Sequence, residues 1–528
     1  MRQTTDLHAE LRPLVINGIS AQLMDSLSTG AILISFALML GANNFVVGLI
    51  GAMPFLSNLL QAPAVFLVER LRNRKRIMLW TMIGSRAALG SVLLLPWLAE
   101  PDTALWLLLG AMFVRYCFGA VATCAWNSWM RDLVPPHRLG EFFARRLGYM
   151  TWVAALAGIG TAFLLDWSAQ DGPWPLLWVY AGLYGAAFCS GVVSIVYMLR
   201  IPEVPMAEAE AEAYGQAFQW RRLQAPFYHA NFRRLMAFMC AWNFSVNLAT
   251  PFFIVYMLTT LGYSLRAVIL LTLFSQAVTA LSLRVWGRYA DRFSHKSVLG
   301  FCGTLFLFCF LGWTFVAFPE RHAWSTPILV ILHLFMGVAT AGVSLTTNSI
   351  ALKLAPSKQA TSFLAINSLV SSLAAGIAPL IGGLFADYFA ARSLSISVTW
   401  QSPEQALTIE TLVINHWDFF FILAFIVGLY SLHRLTLVQE EGSLPKRAIL
   451  RDLMWDAGRM VRSATSVDGL RDIVSTPFSM LTGLVKRQLR EDAVEAVVSG
   501  RQRGSFGDQS FETDAAVGTA QGPLKPGQ

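Results

Sequence analysis

Twelve apolar runs follow one another along the chain, near 15–40, 46–68, 77–98, 104–130, 147–166, 175–199, 235–259, 265–289, 297–318, 326–352, 360–386 and 417–437. A hydrocarbon core about 30 Å thick takes roughly 20 residues of α-helix at 1.5 Å rise per residue, and each run meets that length. Backbone amides inside a bilayer find no water, so such runs must satisfy their own N–H and C=O groups as helices. The pattern predicts an all-α membrane protein of about twelve transmembrane helices. Two breaks between runs are long. The first, 200–234, opens Arg200-Ile201-Pro202-Glu203 and continues through the Ala/Glu stretch Ala207 to Ala213, so it reads as a solvated linker between two six-helix halves, 15–199 and 235–437. The second, 387–416, is polar and on the side away from the termini, and reads as a plain loop, with a cap on the outer mouth as the alternative.

Composition removes the soluble alternatives. The chain is 55% hydrophobic and 14% charged with mean hydropathy +0.52, whereas soluble domains are about 25% charged. All six cysteines fall inside apolar runs without metal-ligand spacing and read as small buried hydrophobes, so no metal or cofactor is expected. A net charge of +8 would suggest nucleic acid on a soluble protein, but here it clusters in alternate loops. Arg70, Arg72, Arg74, Lys75 and Arg76 lie between runs two and three; Arg131, Arg138, Arg145 and Arg146 between four and five; Arg200, Arg221, Arg222, Arg233 and Arg234 between six and seven. The intervening loops 41–45, 99–103 and 167–174 hold no Lys or Arg. By the positive-inside rule both termini, including the 1–14 segment, face the cytoplasm, which places the chain in a cytoplasmic (inner) membrane. No phosphate-binding Gly-Lys-Ser/Thr loop, His-Glu-x-x-His or Gly-x-Ser-x-Gly occurs, so ATP-driven pumping and the common hydrolases are not the leading readings and an enzyme is not expected.

The halves repeat at one separation. Gly41 matches Gly262 (262 − 41 = 221), Asn127-Ser128 matches Asn348-Ser349 (348 − 127 = 221), and Leu133-Val134-Pro135 matches Leu354-Ala355-Pro356 at the same offset. Asp166 matches Asp387 (387 − 166 = 221), and Glu69-Arg70 matches Asp291-Arg292 at 222. Each match is weak alone; together they favour an internal duplication, one of the recurring plans of membrane transporters.

Gly287-Arg288-Tyr289-Ala290-Asp291-Arg292-Phe293-Ser294-His295-Lys296, between runs eight and nine, resembles the loop signature of the major facilitator superfamily. Gly287, Asp291, Arg292 and Lys296 fit it, and Ser294 stands where a second Gly is usual. The first-half copy keeps Glu69, Arg70 and Lys75 but has Val65 for the leading Gly. The resemblance implies a latch that bridges neighbouring helices in one conformation and releases them in another; a loop that is basic for topology alone is the competing reading. Arg115-Tyr116-Cys117-Phe118-Gly119 resembles a second motif of the superfamily, with Phe118 in place of its usual Gln. Gly376 to Gly383 in run eleven looks like the Gly/Pro packing stretch that drug exporters carry in span five, whereas run five itself has only Ala157-Gly158-Ile159-Gly160. The resemblance implies a secondary active transporter of a small solute working by alternating access, with a proton gradient as a candidate drive and a monomer as the working unit. A non-transporting assembly factor or sensor on the same fold, or a lipid translocase, are the alternatives.

Ionisable groups inside a membrane are costly and mark candidate function. Asp25 lies about 15 Å from the cytoplasmic end of its run and Arg115 about 22 Å from the end of its own, close enough in depth to meet. The resemblance puts spans one, four, seven and ten around the central cavity. Asp25 is then the candidate proton or cation acceptor and Arg115 its partner or an anion clamp, against a fixed buried ion pair. His333 is a third candidate, for titration at the cavity. Asn243, Asn247 and Tyr256 are candidate substrate hydrogen-bond groups with Trp242 as an apolar wall, against simple helix-to-helix bonding. Arg86 and Arg284 read as snorkelling side chains or as bonded to neighbouring carbonyls. By the offset, Asp25 maps to Val246 and Arg115 to Met336, so the charged candidates exist in the first half only. Beyond the last run, Arg447 to Arg462 forms a basic amphipathic pattern suited to the cytoplasmic lipid leaflet, or to a cytoplasmic partner, within a tail 438–498; residues 499–528 have a disordered composition.

Overall fold

Among the described residues, twelve helical segments are long and apolar enough to cross a bilayer: Arg12–Met39, Asn44–Val68, Arg74–Trp97, Pro101–Met130, Arg145–Gln170, Leu176–Leu199, Ala230–Thr260, Leu265–Phe293, His295–Thr314, Ser325–Leu354, Ser362–Phe389 and His416–Thr436. They are numbered spans 1 to 12. The computed structural model describes residues 2–97, 100–133, 139–170, 172–203, 220–317, 322–356, 360–401 and 406–440. The amphipathic segment and the terminal tail expected beyond Glu440 lie outside them.

Within the first half, span 1 packs on spans 5 and 6, and span 3 on spans 4 and 6; within the second, span 7 packs on 11 and 12, and span 9 on 10 and 12. Span 2 meets span 11 and span 5 meets span 8 across the two halves. The duplication is visible in local chemistry. Gly41 and Gly262 both take left-handed φ (92° and 64°), a conformation that a side chain disfavours. Two residues on, Asn43 and Ser264 (264 − 43 = 221) each cap the following span, accepting from Val46 N and Ala267 N. Lys75 and Lys296 (296 − 75 = 221) each donate to carbonyls ending the sixth span of their half, Leu199 and Ile201 or Thr436 and Val438. Those carbonyls are 237 residues apart (436 − 199), because 16 residues enter the second half after span 11.

Four expectations change. The 387–416 loop contains an antiparallel hairpin, β1 (Ser393–Gln401) with β2 (Ala406–Asn415), whose alternating Ser-Ile-Ser-Val and Thr-Ile-Glu-Thr patterns suit strands. Helix extends back through the expected 1–14 terminus to Arg2. The end of the 200–234 linker is also helical, Trp220–Tyr228, before His229 caps span 7 by accepting from Phe232 N. Span 1 is broken at Gly30, whose φ of 63° and ψ of −134° divide Arg2–Ser28 from Ala31–Met39.

The start of span 1, the end of span 12 and the described residues of the Arg/Lys-rich loops lie at one end of the spans, here the basic face. There the buried Glu440 carboxylate accepts from Lys296 N (2.7 Å), Lys353 Nζ (2.9 Å) and His295 Nδ1 (3.3 Å), tying the end of span 12 to spans 9 and 10. Burial pushes this carboxyl up, but the three hydrogen bonds and the Lys353 charge outweigh it and hold it below its ordinary range. A depressed acid stabilises the fold above its unfolded value and loses that contribution as pH falls through its folded one. Glu440→Gln is therefore expected to cost about 1–2 kcal/mol at pH 7. In thermal unfolding in detergent the gap to wild type should close as the pH drops below the usual carboxylate range.

Candidate functional site

Asp25 and Arg115 meet. The Arg115 guanidinium donates to the Asp25 carboxylate, joining span 1 to span 4. Their side chains differ in accessibility, 6% for Arg115 against 48% for Asp25, so the base is sealed and the acid remains reachable. Arg115 also lies over the Tyr116 ring at 5.5 Å. Arg86, expected to snorkel or to bond to neighbouring carbonyls, is buried and bonds to a neighbouring hydroxyl: its stem fills the space beside Gly191 and Met24, and Nη2 donates to Ser194 Oγ at 3.3 Å. Asn17 donates to the same hydroxyl and to the Ser194 carbonyl, linking spans 1, 3 and 6. Arg86 is also within electrostatic reach of both Asp25 and Arg115. Its depth was legible; its inward direction was not, because span 3 shows no polar stripe around it.

A cavity of about 790 Å³ lies among spans 2, 7, 8, 9, 10 and 11. None of the 23 described residues that line it is ionisable, and twelve of them carry amides or hydroxyls. Trp242 and Asn243 line it; Asn247, Tyr256 and His333 are not in its wall, and neither are Asp25 and Arg115. Asn247 donates to its own helix at Asn243 O, 2.8 Å away. Tyr256 sits in a π-turn and packs edge-on against Trp313, Trp417 and Phe421. His333 is buried with Nδ1 2.8 Å from Leu329 O and its ring edge-on to Trp313. An aromatic cluster at the far end of the second half has taken both rings away from the lumen. Sequence reasoning missed the polar side of span 11, Asn367, Ser368, Ser371 and Ser372, whose i, i+1, i+4, i+5 spacing marks one helix face. Val246 and Met336, the offset partners of Asp25 and Arg115, do line the cavity, so the ion pair occupies the matching position in the other half.

The cavity reaches from Thr250 and Met336 at mid-span to Ala351 and Leu352 near the basic face. The opposite, far face is closed. A Cβ on Gly48 would collide with the Pro379 carbonyl, and one on Gly383 would come within 2.6 Å of Asn44 O, so spans 2 and 11 touch backbone to backbone. Asp387, ending span 11, accepts from the first amides of span 2, Asn44 N (3.2 Å) and Phe45 N (3.0 Å). Asp166, its offset partner ending span 5, pairs with Arg266 at 3.4 Å, and Arg266 is the offset partner of Phe45 (266 − 45 = 221). The two acids are thus one contact made twice, each tying one half to the opposite half.

Gly287 meets nothing that a Cβ would touch, Asp291 and Arg292 are exposed with Arg292 over Phe293, and Lys296 caps span 12. In the first copy Arg70 is exposed at the end of the helix Gln61–Leu71 that carries Glu69, whose side chain is outside the described residues. Ser294, at the position usual for Gly, has φ of 111°, and its hydroxyl caps span 9 by accepting from Ser297 N. That backbone explains why Gly suits the position.

The sequence profile described as Major Facilitator Superfamily matches residues 14–379 and 235–483. A putative sugar transporter, ERD6-like 13 of Arabidopsis thaliana, is 35% identical over 98 residues, and the match spans about a fifth of each chain, 19% in both cases. Among solved structures, the D-xylose-proton symporter superposes with TM-score 0.59 at 13% identity over 82% of this chain and 99% of its own. The nucleoside transporter NupG gives 0.58 at 10% over 82% and 100%. The inward-open conformation of the xylose transporter XylE from E. coli gives 0.55 at 11% over 83% and 98%. At these identities the structures establish the shared fold alone. With twelve spans in duplicated halves around a polar cavity, and a family profile covering most of its length, the chain is an integral, multi-pass membrane protein that belongs to the Major Facilitator Superfamily of secondary transporters.

Proposed function

We propose that the chain is a proton-coupled transporter of the cytoplasmic membrane, its cavity facing the cytoplasm in this state, with Asp25 as the proton acceptor and Arg115 as the partner that protonation releases. The observation that carries this reading is the ion pair itself: a half-accessible acid against a sealed base, at the position matched in the other half by two cavity-lining residues. The Arg/Lys-rich loops on the open side support the cytoplasm as the side it faces, by the positive-inside rule. Protonating Asp25 would remove the carboxylate that faces two buried guanidiniums, Arg115 and Arg86. A buried charge without a counter-ion costs several kcal/mol, enough to shift the balance between two packings of the half. The chain works as a monomer on this reading, since each half supplies the other's closing contacts.

Sealed vesicles carrying the protein and an imposed pH gradient test this. D-Xylose and other sugars and nucleosides are the first solutes to screen, being those for which the similar proteins are named. The expected result is accumulation of at least one solute on the side set by the gradient, collapsing on addition of a protonophore. Movement indifferent to the gradient would contradict the coupling.

A further inference from the structure

A second cleft lies at the basic face, apart from the central cavity. It is bounded by the ends of spans 7, 9, 10 and 12, has a volume of about 810 Å³, and shares none of its described lining residues with that cavity. Arg234, Lys296, Lys353 and Glu440 are the charged residues among those that line it. The acid and the cations are unequally placed. The Glu440 side chain is 0% exposed and held by the bonds described above, whereas Lys353 is 48% exposed and Arg234 is exposed as well. Donors remain on all three cations. Lys353 gives one of its ammonium hydrogens to Glu440, Lys296 gives two to Thr436 O and Val438 O, and Arg234 Nη1 donates to Leu437 O at 3.3 Å. The cleft therefore offers solvent a cationic wall with its one carboxylate sealed behind it.

Membrane topology alone does not demand this charge. The positive-inside rule asks for basic loops in both halves, and the duplication supplies an internal control. Asn231, Arg234, Lys296 and Lys353 correspond to Glu10, Pro13, Lys75 and Asp132 (353 − 132 = 221). At the longer offset that follows span 11, Leu437 and Glu440 correspond to Arg200 and Glu203 (440 − 203 = 237), and the remaining lining positions are uncharged in both halves. The second half thus sets three cations against one carboxylate, where the first sets two against three. The positive surplus belongs to this cleft and not to the fold.

We infer that this cleft binds a phosphate monoester, its dianion held by Arg234 and Lys353 together with Lys296. A surplus of two positive charges suits a group that carries about −1.5 to −2 near pH 7, and a monocarboxylate would leave half of it unmatched. The Arg234 guanidinium has the geometry to bond two phosphate oxygens at once, with the ammonium groups acting as point charges beside it. All the ligating residues belong to one half, so the site persists whichever way the lumen faces, and its ligand is not carried across. The same chemistry comes from a soluble ester or from a lipid headgroup.

The test is equilibrium binding to the full chain in detergent at low ionic strength. Labelled methyl phosphate and labelled phosphatidic acid are the probes, with phosphatidylcholine as the lipid blank. Saturable binding of at least one probe is expected; methyl phosphate assigns a soluble ester, and phosphatidic acid alone assigns a lipid headgroup. Arg234→Gln with Lys353→Gln should weaken it about tenfold or more, and acetate should compete at least about tenfold less well than inorganic phosphate. Arg234→Gln alone leaves the Glu440 contacts intact and should still weaken binding about threefold, which decides the matter should the double variant fail to fold. Arg200→Gln, at a basic-face cation outside the cleft, should bind as wild type. Absence of binding by both probes, unchanged affinity in Arg234→Gln, an equal loss in Arg200→Gln, or acetate competing as well as phosphate would overturn the inference. No pH gradient and no transported solute enter this measurement, so its failure leaves proton coupling standing.

Discussion

Asp25→Asn is expected to abolish concentrative transport, bringing the accumulation ratio down to about 1, while solute counterflow stays within a few-fold of wild type. Asparagine keeps the size of the carboxylate and an oxygen for Arg115, but it can neither gain nor lose a proton. The solute cycle then proceeds without its driving ion. Removing the charge also leaves Arg115 and Arg86 with less compensation. The half-accessible position of Asp25 limits that cost well below the roughly 3–5 kcal/mol measured for fully buried pairs. A modest fall in melting temperature is therefore compatible with retained counterflow. Asp25→Glu, which restores a titratable carboxyl, should recover part of the accumulation; this separates a coupling role from a structural one. A fixed structural pair predicts instead that Asp25→Asn loses counterflow and accumulation together.

The second large effect lies at the far face. Asp387 belongs to the second half and the amides it accepts to the first, so opening that face must break the contact. Hydrogen bonds from amides to a charged acceptor contribute about 1.5–3 kcal/mol, and the acid also sits at the positive end of the span 2 dipole. Asp166 makes the corresponding pair with an arginine that is 45% exposed, a setting where ion pairs contribute roughly 0.2–1 kcal/mol. The same contact made twice is thus unequal, and Asp387 dominates. Asp387→Ala is expected to shift the population toward the far-face-open state by about 10-fold or more, Asp166→Ala by no more than about 5-fold. The readout is the rate at which an impermeant maleimide added at the far face modifies Thr250→Cys in a background without the native cysteines. Equal effects of the two variants, or none from Asp387→Ala, would contradict this ranking.

How much of this was legible beforehand depended on whether a signal repeats along one helix or arises between helices. Apolar run lengths and the 221-residue offset are one-dimensional, and spans, halves and the pairing of Asp166 with Asp387 follow from them. The meeting of Asp25 and Arg115 was also within reach, because two opposite charges at similar depth in a bilayer have few other solutions. The direction of a side chain around its helix was harder. Span number alone points His333 and Tyr256 to the lumen, but the Trp313, Trp417 and Phe421 rings draw them into an aromatic cluster assembled from four spans. Arg86 was read outward because long basic side chains usually snorkel; its inward course depends on the room left beside Gly191 of another span.

Alternating access is most directly tested by distance distributions between spin labels at Ala42→Cys and Ala390→Cys, which flank the Asp387 contact on opposite halves, recorded across pH with and without a transported solute. The account predicts a short population, matching the closed far face seen here, exchanging with a longer one whose share changes with pH in wild type and ceases to depend on pH in Asp25→Asn. A single distance indifferent to pH and solute would contradict it.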